Sequence, residues 1–89
     1  FEATLKLSPG MSVAYYNMGV VFIAMQDYTS ALSAFNKAIE NNNDFGEAYY
    51  NRGYVYFTLG TRAAGSADLS RAGQLGVAPS YNLLKRMAN

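Results

Sequence analysis

Residues 14–21 read Ala-Tyr-Tyr-Asn-Met-Gly-Val-Val and residues 48–55 read Ala-Tyr-Tyr-Asn-Arg-Gly-Tyr-Val, so six of eight residues return in register after 34 positions. The correspondence continues beyond that block. At the same offset Phe22 is answered by Tyr56, Phe35 by Leu69, Lys37 by Arg71 and Ala38 by Ala72. A fixed period of this length marks a repeat architecture, in which each unit buries its apolar face against the next. This matters for a chain of 89 residues, which on its own would bury only about 60–65% of its unfolded surface.

The helical pattern within each period follows from spacing. From Ser12, read as an N-cap, the apolar residues Tyr15, Met18, Phe22 and Met25 recur at steps of three and four, which places them on one helix face. Ser8-Pro9-Gly10 is expected to stop a preceding helix, of which Phe1 to Leu7 would be the last turns. Phe1 and Thr4 stand one period before Phe35 and Ala38, and the chain opens mid-pattern, as a piece of a longer protein would. Asp27 is placed to cap a second helix, whose buried stripe is read as Tyr28, Ala31, Leu32, Phe35, Ala38 and Ile39. The residues from Asn41 to Asp44 end it. A third helix is expected over 47–59, a turn and cap at Gly60-Thr61, and a fourth helix over 62–75. Gly65 stands in the place of Ala31, where two helices must approach closely, and Gly76 is read as a left-handed terminator. From Pro79 a final short helix runs to about Ala88, its Asn82, Lys85 and Arg86 giving a polar outer side.

Composition narrows the chemistry. Apolar residues make up 51% and aromatic residues 15%, enough for a packed fold and too much for a disordered chain. A net charge of +1 provides no basic field for nucleic acid or an anionic membrane, so neither is an expected partner. With no cysteine and no histidine there is no thiol chemistry, and zinc lacks its usual ligands. The lack of cysteine suits a cytoplasmic or a periplasmic protein alike. No apolar run approaches the ~20 residues of a membrane span, and no leader pattern opens the chain. Glu2, Asp27, Glu40, Asp44, Glu47 and Asp68 show no catalytic spacing and read as a solvated face. The oxygen-rich run from Asn41 to Glu47 lacks the alternating acidic ligands of a calcium loop. We therefore expect no catalytic residue, no metal and no cofactor.

A 34-residue helix–turn–helix unit with this order of aromatic, glycine, aromatic, alanine, phenylalanine and alanine resembles the tetratricopeptide repeat, or TPR. Tyr15, Met18, Gly19, Phe22, Tyr28, Ala31, Phe35 and Ala38 carry the likeness in the first unit. Tyr49, Gly53, Tyr56, Gly65, Leu69 and Ala72 carry it in the second. Arg62 departs from the pattern in the place of Tyr28, and neither Asn43 nor Val77 is the repeat-ending proline that Pro9 supplies earlier. The resemblance implies an all-α fold: a right-handed superhelical stack of antiparallel helix pairs, a TPR solenoid. Residues 12–45 and 46–78 would be two full repeats, 1–8 the end of a preceding repeat, and 79–89 a capping helix.

The resemblance also implies that the first helix of each unit lines a concave groove holding a peptide or partner protein. By register that wall presents Val13, Tyr16, Asn17, Val20 and Ala24, then Glu47, Tyr50, Asn51, Tyr54 and Thr58, with Tyr81 and Lys85 from the last helix. Tyrosines there bring large contact area at small entropic cost. Asn17 and Asn51 fall where chaperone-binding members hold a terminal carboxylate. Tyr16 and Val20 replace that clamp's lysine and asparagine, Tyr81 replaces a cation, and Lys85 alone would supply one, so the clamp is incomplete. The alternative to a peptide-binding scaffold is a module that self-associates through exposed terminal helices, its apolar edge formed by Phe1 and Leu5.

Overall fold

A computed structural model of the chain describes residues 9–77. Its elements are all helical: α1 spans Pro9–Ala24, α2 Tyr28–Asn41, α3 Gly46–Thr58 and α4 Arg62–Gln74. Among the described residues there is no strand. Helices α1 and α2 pack as one pair, α3 and α4 as another, and α3 also packs against α2. The expected leading segment 1–8 and the capping helix 79–89 lie outside the described residues.

Helix starts and stops follow local chemistry, with two corrections. Pro9 opens α1, where a break before Ser12 was expected; at a first helical position its missing N–H and fixed φ cost nothing. Ser12 is therefore no N-cap. It sits inside α1 and is 1% exposed. Asp27 does cap α2, its side chain accepting from the Ser30 N–H at 3.3 Å. Thr61 occupies the corresponding place before α4 without a side-chain cap bond.

The turn inside each pair has one geometry built from different residues. Gln26 has φ 63° and Gly60, one period later, φ 89°. In each turn the next N–H folds back, Asp27 N–H to the Phe22 carbonyl and Thr61 N–H to the Tyr56 carbonyl, both at 2.8 Å. Gly76 takes the same left-handed conformation after α4, as its type allows.

Packing within each pair is set by a small residue facing a large one. A methyl group on Gly19 would meet the ring of Phe35 at 2.5–2.8 Å, and one on Gly53 would meet Leu69 at 2.9 Å. These are the same contact, one period apart. Gly65 adds a second close approach, where an added methyl group would lie 3.0 Å from the Gly53 carbonyl oxygen and 2.7 Å from the Phe57 ring. Phe35, Leu69 and Val55 are the largest fully buried hydrophobic side chains. The buried stripe of α2 is Ala31, Ala34, Phe35, Ala38 and Ile39; Tyr28 and Leu32 are only half-buried against it. On α1 the expected apolar face is also partly wrong. Tyr15 and Phe22 pack on the core, whereas Met18 and Met25 are 47% and 64% exposed.

Phe35 is enclosed on all sides and cannot swing clear. Gly19→Ala should therefore destabilise by about 1–3 kcal/mol from overpacking, less the ~1 kcal/mol that alanine gains over glycine in a helix. A thermal melt followed by circular dichroism should show a lowered midpoint. A raised midpoint would rule out the close-contact account of this position.

Candidate functional site

The wall expected to line the groove comes from two helices spaced for it. Val13, Tyr16, Asn17, Val20 and Ala24 recur on α1 as Glu47, Tyr50, Asn51, Tyr54 and Thr58 do on α3, at the three- and four-residue steps that share a helix face. One bond joins the stripes: the Asn51 side-chain N–H donates to the Tyr16 hydroxyl at 3.2 Å. Tyr16 is itself wedged between the pairs, its ring 4.9 Å from Phe45 and 5.9 Å from Phe35. Burial pushes the Tyr16 phenol above its ordinary pKa; the Asn51 bond opposes that rise and the Glu47 carboxylate adds to it.

The remaining residues expected in the groove divide by exposure. Asn17, Glu47, Thr58 and Ala24 are exposed, and Val13 and Val20 are 46% and 40% exposed. Tyr50, Asn51 and Tyr54 are half-buried, with Tyr54 packed against the core cluster. The Asn51 amide also donates to the Glu47 carbonyl at 2.9 Å, and the Thr58 hydroxyl to the Tyr54 carbonyl at 3.0 Å. Tyr81 and Lys85 lie outside the described residues.

On the other side of α3 the structure contains a polar cluster that reading the carboxylates as a solvated face missed. Asp68 is only 6% exposed. It takes both oxygens to Arg52, which donates through Nε at 2.7 Å and through a terminal nitrogen at 2.8 Å. The other terminal nitrogen of Arg52 reaches the Asn36 side-chain oxygen on α2 at 2.9 Å. The guanidinium lies near the rings of Tyr49 and Tyr56, 5.5 and 5.8 Å from their centroids. The Asp68 bond, acting against burial, raises the Arg52 pKa above its already high value, so its charge is fixed. Three helices are thereby tied together. A sequence signal existed: Arg52 and Asp68 replace Met18 and Ala34 of the first unit in register, two complementary changes at once.

The first unit shows what is lost without that pair. Between α1 and α2 a cavity of about 200 Å³ opens, lined by Tyr15, Met18, Phe22, Ser30, Ser33, Ala34 and Lys37. Lys37 lies 6.0 Å from the Tyr15 ring centroid, as Arg71 lies 5.9 Å from that of Tyr49 one period on. Beyond the cavity, α1 presents Val21 at 55% exposure where its counterpart Val55 is 0% exposed. Ala14 is likewise exposed where Ala48 is buried. The α3 face is covered by α2; the matching face of α1 has no such cover among the described residues.

Asp68→Ala leaves the largely buried Arg52 charge without its carboxylate and should cost about 2–3 kcal/mol. Arg52→Met with Asp68→Ala installs the first unit's own pair, and the double variant should be more stable than Asp68→Ala alone. Urea unfolding of both variants measures this, and a double variant no more stable than the single would refute the pairing.

Comparison with known proteins follows the same lines. A family model described as TPR repeat matches residues 19–60. Photosystem I assembly protein Ycf3 of Acaryochloris marina is 33% identical over 61 residues, which are 68% of this chain and 37% of that protein. A Lipoprotein NlpI homolog of Haemophilus influenzae is 28% identical over 80 residues, 90% of this chain and 26% of the relative. DnaJ homolog subfamily C member 3 of Gallus gallus is 40% identical over 58 residues, 65% of this chain and 12% of the relative. The chain thus spans between 12% and 37% of the length of these relatives.

Proposed function

Since this chain belongs to the tetratricopeptide-repeat family, whose general role is protein–protein interaction, we propose that it binds a peptide or partner protein along the wall formed by α1 and α3. The repeat units are taken as 12–45 and 46–78. The reading assigns the chain no catalytic, metal or cofactor role. One observation carries it: the inward stripes of both units lie side by side through the Asn51–Tyr16 bond, yet leave Val13 and Val20 exposed at 46% and 40%. Apolar side chains exposed beside half-buried tyrosines have contact area to offer. Two of the relatives, named as an assembly protein and as a DnaJ homolog, support a scaffold in general terms; their partners are not transferred.

Tyr50 is the anchor on this reading. A screen of random peptides on an array should yield binders whose affinity falls about tenfold or more in Tyr50→Ala, the loss typical of a central aromatic contact. Glu40→Ala, on the exposed side of α2, should leave them unchanged. Binders indifferent to Tyr50 would move the site elsewhere.

A second reading is self-association, favoured by the exposed apolar residues Met11, Met18 and Val21 of α1 and Met25 just after it. The mass from light scattering should then rise with concentration, and Val21→Asp should abolish the rise. A monomer at every concentration removes this reading.

A further inference from the structure

The groove's hydrogen-bonding capacity and charge together restrict what it can hold. Its two asparagines look alike in sequence and differ in the structure. An asparagine amide has two N–H groups to give. Asn51 gives its nitrogen to both the Tyr16 hydroxyl and the Glu47 carbonyl, at 3.2 and 2.9 Å. Only its side-chain oxygen is left to face a ligand, and an oxygen cannot receive a carboxylate. Thr58 has likewise committed its hydroxyl proton to the Tyr54 carbonyl.

Charge points the same way. Helix α1 contains no charged residue along its whole length. Helix α3 contains two, Glu47 and Arg52. Arg52 is held by Asp68 and Asn36 on the side away from the wall. Glu47 stands exposed in the same stripe as Tyr50 and Tyr54, so among the described residues the wall carries one formal charge, and it is negative.

We infer that the partner is a peptide segment of another protein carrying a lysine or arginine beside apolar residues, the cation meeting Glu47 and the apolar groups covering Val13, Val20 and Tyr50. This deepens the groove reading above and rests on it. Beside Glu47, a segment ending in a free carboxylate, or rich in acidic residues, is disfavoured because Asn51 has no donor left for it and Glu47 repels it.

The test uses the full chain against an array of random-sequence peptides with amidated ends, scored for lysine and arginine against aspartate and glutamate among binders that need Tyr50. The wild-type protein should enrich basic peptides. The best of them, measured by fluorescence anisotropy, should bind Glu47→Gln about two- to fivefold more weakly, the range of an exposed ion pair. Glu47→Lys should shift enrichment towards acidic peptides. Circular dichroism checks that both variants stay folded, since Glu47 also lies in the first turn of α3, where an acid favours the helix. Tyr50-dependent binders without basic enrichment, or enrichment unaltered in Glu47→Gln, overturn the charge inference and leave the groove standing. The absence of any Tyr50-dependent binder removes both.

Discussion

In both pairs the helix axes come close because a glycine on one helix faces a large side chain on the other. Gly19 under Phe35 and Gly53 under Leu69 leave no room for a single added carbon. That closeness sets where everything else can stand. It buries Phe35 and Leu69, and it fixes the rotation of α1 and α3, so one stripe of each turns away from its partner helix. The outward stripe is then free to carry residues that the core does not need. Burial of a few large side chains against small ones is also economical for a chain of 89 residues, which has little interior to draw on.

Duplication holds that geometry constant while the remaining positions diverge, and the two units serve as controls for one another. Where the second has Arg52 and Asp68, the first has Met18 and Ala34. The ion pair fills its space, satisfies its hydrogen bonds and reaches α2 through Asn36. The apolar pair leaves a cavity of about 200 Å³. Burying a guanidinium and a carboxylate is costly unless they are well paired, and two bonds of 2.7 and 2.8 Å meet that condition. The cluster therefore contributes to holding α2, α3 and α4 in register, whatever its net effect on stability. The exposed Arg71–Asp44 contact at 3.7 Å is of another kind and adds little.

Much of this was legible because periodicity survives divergence. The 34-residue offset placed the helices, the close-packed glycines and the Asp27 cap without any structure. What escaped had local or mutual causes. Ser12 looked like a cap because its type favours caps, but Pro9 can open a helix as well as end one, and the helix takes the earlier start. Met18 and Met25 look like core by spacing, yet exposure is decided by whether a neighbouring helix arrives, which no stripe on α1 alone reveals. Asp68 was misread because a carboxylate is judged by its usual surroundings; only its partner, 16 residues away on another helix, makes burial tolerable.

The proposed groove raises the question of how one residue could serve the fold and a ligand together. Tyr16 and Asn51, expected on the wall, each form a joint between the pairs. A side chain that has given its donors to the fold is rigid and chemically one-sided. Asn51 presents an acceptor in a fixed place and cannot reorient to suit an anion without giving up the Tyr16 and Glu47 bonds. Asn17, the same residue type one period earlier, is exposed, and its side chain makes no hydrogen bond among the described residues. Repetition of a residue is therefore not repetition of its role. Which asparagine can adapt to a ligand depends on whether a following helix has already claimed its protons, and that is settled by position in the stack.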